Sequence, residues 1–156
     1  MHQSVISVDL VAAARRSEDL HHESDQSLQR AVEDYGRFLR LAQKHSGPLA
    51  PTRAVDQMWH LHMLHPVAYH RDCIRLFGRI LDHDGGFGSV PEERPALGAA
   101  FERTARLWRE AYGTSYADGA GASMESCWHD CQSRCWHACS SKDDVSVTLA
   151  AVSARE

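Results

Sequence analysis

Four cysteines lie close together near the C-terminus, in the stretch CWHDCQSRCWHAC at residues 127–139. They are Cys127, Cys131, Cys135 and Cys139, and three residues separate each one from the next. Thiolate ligands without hard oxygen donors favour Cu(I) or Zn(II) over Mg(II) or Ca(II). This segment therefore predicts a soft-metal site that holds copper or zinc.

The regular spacing of these cysteines limits the kind of site they can form. On an α-helix, a four-residue step arranges the thiols as one slowly drifting stripe. Neighbouring Cβ atoms would be on the order of 6 Å apart, close enough for two sulfurs to hold one ion. The outermost pair would be roughly 18 Å apart, too far for one tetrahedral zinc. We therefore expect two C-x3-C clamps, each completed by another helix, a second copy of the chain or a bound thiol.

Two other interpretations of the tail stay open. The tripeptide Cys-Trp-His occurs twice, and it follows a segment rich in glycine, alanine and serine. Such a layout is typical of a precursor whose C-terminal segment is modified by a partner enzyme. In the remaining interpretation, the cysteines form disulfides only when they meet an oxidant.

A second group of potential metal ligands is a run of histidines between residues 60 and 83. Its members are His60, His62, His65, His70 and His83. On a helix, Asp56 and His60 are i,i+4 neighbours on one face, whereas His60 and His62 point about 200° apart. A straight helix therefore cannot direct both histidines at one ion.

A metal site in this region would use one of these histidines with ligands from elsewhere. Two such sets are Asp56 with His60, and His62 with His83 or Asp84. The wider set of Asp56, His60, His62 and His83 could also line one pocket of a metal-dependent enzyme; iron or zinc would suit such ligands. The alternative is a buried polar network that fixes helix packing, because several buried polar groups are costly unless they bind each other or a ligand. His62 shares its face with apolar residues, which favours a hydrogen-bonded core histidine.

These residues are positioned by helices, according to the three- and four-residue spacing of apolar side chains. We predict helices over residues 5–20, from Ser24 or Ser27 to about His45, from an N-cap at Thr52 through Leu64, from Pro66 through Ile80, and from about Ala96 to Tyr112. No strand pattern competes before residue 144. The prediction is an all-α fold, a small bundle of about five helices (residues 1–112), followed by a flexible linker (113–124) and a Cys/His/Trp-rich tail (125–156).

Composition excludes several classes of function. The net charge of -4 gives no reason to expect nucleic acid or an anionic membrane as a partner. No run of eighteen apolar residues is present, and the N-terminus lacks an export signal, so we expect a cytoplasmic protein. There is no Gly-rich phosphate loop, nucleophile elbow or C-x-x-C pair, and whether the chain is an enzyme stays open. The expected partners are a metal ion and, for the tail, a second copy or a modifying enzyme.

The stretch VDQMWHLHMLHPVAYHRDCIRLFGRILDHD, residues 55–84, resembles the signature of the glycine-rich domain-containing protein-like family. The residues that carry the resemblance are Asp56, Trp59, His60, His62, Leu64, Tyr69, Asp72, Cys73, Leu76, Phe77, Gly78 and His83. Similar flanking segments extend it to about residues 26–113. The resemblance implies a small helical domain but no particular reaction, so the expected function rests on the metal-ligating residues.

Overall fold

The computed structural model describes residues 5–84, 87–88 and 90–116. These residues form α1 (Leu10–Ala14), α2 (Asp25–Lys44), α3 (Arg53–Met63), α4 (Pro66–Phe77) and α5 (Arg94–Tyr112), with no strand among them. The all-α prediction is confirmed for this part of the chain. None of the helices in the described residues is both long and apolar enough to cross a membrane. The predicted tail lies outside the described residues.

Local sequence signals set the ends of the long helices. Ser24 and Thr52 are the N-caps of α2 and α3, and each hydroxyl accepts the amide three residues further on, at 3.1 and 3.4 Å. Pro66 occupies the first turn of α4, where the missing N–H group has no helical partner to lose. Gly78 ends that helix with φ +69°, so α4 is shorter than the predicted span to Ile80.

The first helix is much shorter than the predicted span of residues 5–20. It begins at an N-cap, Asp9, whose carboxylate accepts the amide of Ala12 at 2.9 Å. Directly after α1, the guanidinium of Arg15 donates to two carbonyl groups of the following loop, at 3.1 and 2.6 Å. These bonds stabilise a turn in place of a longer helix, and Val5 and Ile6, before α1, are buried without being helical.

The core is centred on the contact between α2 and α3. Tyr35 and Phe38 of α2 are fully buried against Trp59 of α3, with ring centroids 6.4 and 5.7 Å from the indole. Trp59 lies one residue before His60, so the same packing that buries the indole fixes the rotation of α3. The face of α3 that carries potential ligands is therefore determined by the core.

The packed domain continues past the end of α5. Tyr116, within the predicted linker, is buried and packs against Trp108 with tilted rings and 4.9 Å between ring centroids. Its hydroxyl donates to the carbonyl of Ala50 at 3.0 Å and accepts the amide of Thr52 at 3.2 Å. Residues 113–116 thus pack on the helices, and the rest of the predicted linker lies outside the described residues.

Candidate metal site

α3 contributes two of the potential ligands, Asp56 and His60, in the i,i+4 relationship that the sequence predicts. The distance from Asp56 Oδ2 to His60 Nδ1 is 3.6 Å. The Asp56 side chain is 1% exposed and that of His60 is 44% exposed. Of these two potential metal ligands, Asp56 is fully buried and His60 lies at the protein surface.

His83 comes to this pair from the loop that follows α4. Its Nε2 atom is 2.9 Å from Asp56 Oδ1, and its side chain is 4% exposed. The His83 ring lies 4.7 Å from that of His60 between centroids. One potential ligand atom from each of the three residues lies within 4.8 Å of the other two. The structure thus assembles a carboxylate and two imidazoles from a helix and a loop.

The second carboxylate oxygen of Asp56 has no hydrogen-bond partner although it is buried. His60 Nδ1, at 3.6 Å, is beyond hydrogen-bonding distance. A buried oxygen without a partner is costly, and a cation would remove this cost. Ligand atoms about 2.1 Å from one ion lie about 3.0–3.5 Å from each other. The separations of 2.9 Å, from His83 Nε2 to Asp56 Oδ1, and 3.6 Å, from His60 Nδ1 to Asp56 Oδ2, are close to that range. The three residues could therefore hold one divalent metal ion, with the ligand atoms within 4.8 Å of one another.

The protonation state of His60 also suits metal binding. Burial lowers the pKa of His60 below its ordinary value of 6.5, since it disfavours the charged imidazolium. Asp56 opposes this shift and His83 adds to it. His60 is therefore neutral at pH 7, and neutral imidazole is the form that binds metal ions.

His62, also predicted as a ligand, points away from this group, as the 200° difference from His60 requires. Its Nδ1 forms a hydrogen bond with the hydroxyl group of Tyr35 at 3.0 Å, whereas its Nε2 lies 3.2 Å from Asp72 Oδ2 without forming a hydrogen bond. His62 and Asp72 are each 1% exposed. The structure therefore does not bring His62 to His83, and it matches the alternative of a hydrogen-bonded core histidine. Burial, opposed by Asp72, lowers the pKa of His62.

Sequence reasoning named Asp56 and His83 as members of one candidate cluster, but it did not predict the direct contact between them. The two residues are 27 positions apart, and no periodicity links a helix to a later loop. The signature motif contains both, but it gives no pairing between them. The tail ligands Cys127, Cys131, Cys135 and Cys139 lie outside the described residues, so copper or zinc binding there stays a prediction.

Part of the chain is similar to one known protein family. Residues 1–72 match the model of the family described as Glycine-rich domain-containing protein-like. Residues 1–72 belong to the glycine-rich domain-containing protein-like family. The match includes Asp56, His60 and His62 but ends before His83. The predicted resemblance is thus confirmed, although its range differs from the predicted 26–113.

Two relatives of the family come from Arabidopsis thaliana. Glycine-rich domain-containing protein 1 is 35% identical over 120 residues, which cover 69% of this chain and 14% of that protein. Glycine-rich domain-containing protein 2 is 33% identical over 129 residues, covering 72% of this chain and 16% of that protein. The chain therefore spans only about a seventh of the length of these relatives. No solved structure matches the chain.

Proposed function

We propose that this protein binds a divalent transition-metal ion, zinc or iron, at Asp56, His60 and His83. The observation that carries the proposal is the buried Asp56 Oδ2, which lacks a hydrogen bond inside a group of two imidazoles and a carboxylate. Imidazole and carboxylate ligands together suit both Zn(II) and Fe(II). Two features of the described residues thus support one ion: the identity of the ligands and an unsatisfied oxygen between them.

The competing explanation is a hydrogen bond between His83 and Asp56 with a purely structural role. A proton on His83 Nε2, donated to Asp56 Oδ1 at 2.9 Å, accounts for one carboxylate oxygen. It leaves Oδ2 unsatisfied, because His60 Nδ1 is too distant to donate to it. An ion held by Asp56, His60 and His83 would take the place of the proton on Nε2 and would interact with the whole carboxylate, including Oδ2. Binding should consequently release protons.

A metal held here would have ligands other than the three side chains. Three protein ligands and an open position are typical of sites that bind an exchangeable water or substrate. His60 is 44% exposed, so solvent reaches this side of the group. The proposed function is therefore metal binding at an accessible site. A metal-dependent reaction is compatible with it, and the ligand set alone selects no reaction.

Metal titration of an untagged protein tests the proposal, with the four tail cysteines replaced by serine to remove competing thiols. Isothermal titration of this parent protein with Zn²⁺, and with Fe²⁺ under anaerobic conditions, should show one bound ion per chain. Asp56→Asn should weaken binding by at least about tenfold, since it removes the charged ligand.

Asp82→Asn is the matched control, because Asp82 is an exposed carboxylate in the same loop as His83. It should bind like the parent protein. Equal affinity in the Asp56→Asn variant would rule out the assigned ligands, and a parent protein that binds neither ion would refute the proposal itself.

The tail supports a second, separate metal-binding proposal. The C-x3-C spacing of the four tail cysteines predicts thiolate clamps for copper or zinc, formed with a second chain or another ligand. Replacing all four by serine should abolish Cu(I) binding in the reduced protein while leaving the thermal stability of the helical domain unchanged. If the tail is instead a substrate for a modifying enzyme, the intact mass of protein from its native host will exceed that of the bare sequence.

A further inference from the structure

We infer that Tyr69 is a positioning residue for the metal site: its hydroxyl group holds the loop backbone that presents His83 to Asp56. The inference rests on the proposed function for its effect on metal binding. Its structural basis is a chain of hydrogen bonds that joins α3, α4 and the loop after α4. The residues that form these hydrogen bonds, Trp59, Tyr69 and Leu81, are buried, so water does not compete for the bonds.

The direction of each hydrogen bond follows from the chemistry of the groups. The indole Nε1 of Trp59 lies 2.9 Å from the Tyr69 hydroxyl oxygen, and an indole N–H group can only donate. A carbonyl oxygen can only accept, and that of Leu81 is 2.5 Å from the same hydroxyl. The single hydrogen of the Tyr69 hydroxyl is therefore donated to Leu81. Removing this hydroxyl would leave both a buried donor and a buried acceptor without this partner.

The chain of bonds closes on His83. Leu81 is two positions before His83, so an anchor on its carbonyl restrains the loop next to the ligand. The Trp59 ring also contacts His83 directly, edge to face, with 4.5 Å between centroids. The loop residues on either side of His83, Asp82 and Asp84, are exposed. Between two exposed aspartates, His83 thus points inward, at a point held from two directions by Trp59 and Tyr69.

Tyr69→Phe tests this role because it removes the hydroxyl and keeps the ring, which packs against His62 at 5.1 Å. Loss of an interaction that orients a metal ligand typically weakens metal binding by about 10–100-fold. In the parent protein with serine at the four tail positions, we expect such a loss in zinc titrations of Tyr69→Phe. The visible absorption spectrum of bound Co²⁺ should also change, because it reports ligand geometry.

Tyr112→Phe is the matched control. The Tyr112 hydroxyl also donates to a backbone carbonyl, that of Arg37 at 2.9 Å, but it joins α5 to α2 and not to the loop of His83. It should leave zinc affinity and the Co²⁺ spectrum unchanged. Circular dichroism at the titration temperature shows that each variant is folded, so a lost hydroxyl is not confused with unfolding.

The possible outcomes separate this inference from the proposed function. Unchanged affinity and an unchanged Co²⁺ spectrum in Tyr69→Phe would overturn the positioning role and leave metal binding intact. If the parent protein does not bind metal, the proposed function is wrong. The positioning role of Tyr69 is then tested by NMR: Tyr69→Phe must shift the signals of the His83 ring. If Tyr69→Phe does not fold, zinc should slow exchange of the Trp59 indole proton in the parent protein, and an unaffected exchange rate contradicts the inference.

Discussion

His83 Nε2 lies 2.9 Å from Asp56 Oδ1, although the two residues are 27 positions apart in the sequence. This contact adds His83, from the loop after α4, to the i,i+4 pair of Asp56 and His60 on α3. The three residues together are potential ligands of one metal ion. An ion bound to all three would connect helix and loop in the folded chain only. Metal binding at this site is therefore expected to stabilise the fold.

The first prediction is that zinc raises the melting temperature of the parent protein that lacks the tail cysteines. Free zinc at about 100 times the Kd adds about 2.7 kcal/mol to the free energy of unfolding. For a domain of this size that corresponds to a shift of about 10–20 °C. His83→Gln should abolish most of this shift in differential scanning calorimetry, whereas His70→Gln, an exposed control on α4, should retain it. An equal shift in both variants would exclude His83 as a ligand.

The second prediction concerns acid stability and follows from His62. Burial lowers the pKa of His62 in the folded protein below 6.5, whereas the unfolded chain has the ordinary value. Between the two values the unfolded state binds more protons, so the free energy of unfolding must fall as the pH drops below about 6.5. The lowered pKa of His60 acts in the same direction. Stability is fully retained above this range.

Urea unfolding at a series of pH values from 7.5 to 5 measures this effect. His62→Gln should show a smaller loss of stability on acidification than the unsubstituted protein, because it removes one of the two groups with a lowered pKa. His70→Gln should show the same loss as the unsubstituted protein. A pH dependence unaltered by His62→Gln would contradict the assignment.

The third prediction is that Asp72→Asn destabilises the fold by about 3 kcal/mol, as expected when one partner of a buried charged network is removed. The Asp72 carboxylate accepts the amide of Ser7 at 2.6 Å and Arg75 Nη2 at 2.9 Å, and it contacts His62. Urea unfolding gives the loss of stability, and hydrogen exchange of the Ser7 amide should become faster. Asp82→Asn, an exposed control, should change the free energy of unfolding by less than about 0.5 kcal/mol.

The same Asp72 network shows why part of the fold was predictable from the sequence and part was not. Helices α2 to α5 are marked by local signals, such as the caps at Ser24 and Thr52 and the proline that opens α4. The segment before α1 has no such signal. It is held by the bond from Ser7 to Asp72 across 65 positions, and its buried apolar residues imitate part of a helix pattern.

The candidate site also has one part that could be predicted from the sequence and one part that could not. The pairing of Asp56 with His60 follows from helix geometry and could be predicted. The position of His83 depends on the path of a loop, which is fixed by the bond from Tyr69 to Leu81. That bond is a tertiary contact, so periodicity and residue type could name His83 as a candidate but could not place it.

The fourth prediction concerns Gly88, before α5, and Gly98, within α5. Alanine substitution at these two positions should change the free energy of unfolding in opposite directions. Gly98 lies within α5, and an added Cβ would meet no atom within 4 Å. Gly98→Ala should therefore stabilise the protein by about 0.5–1 kcal/mol, because glycine loses more backbone entropy than alanine in a helix. Gly88 has φ +93°, and its Cβ would be 2.5 Å from Leu97 Cδ2.

The flexible end of Leu97 can move away from such a Cβ, but the left-handed backbone still costs an alanine about 1–2 kcal/mol. Gly88→Ala should therefore lower the free energy of unfolding while Gly98→Ala raises it, as measured by urea denaturation. Gly36→Ala, within α2 and also without atoms near its added Cβ, is the control and should be stabilising like Gly98→Ala. A stabilising Gly88→Ala would mean that the loop before α5 adopts another conformation in solution.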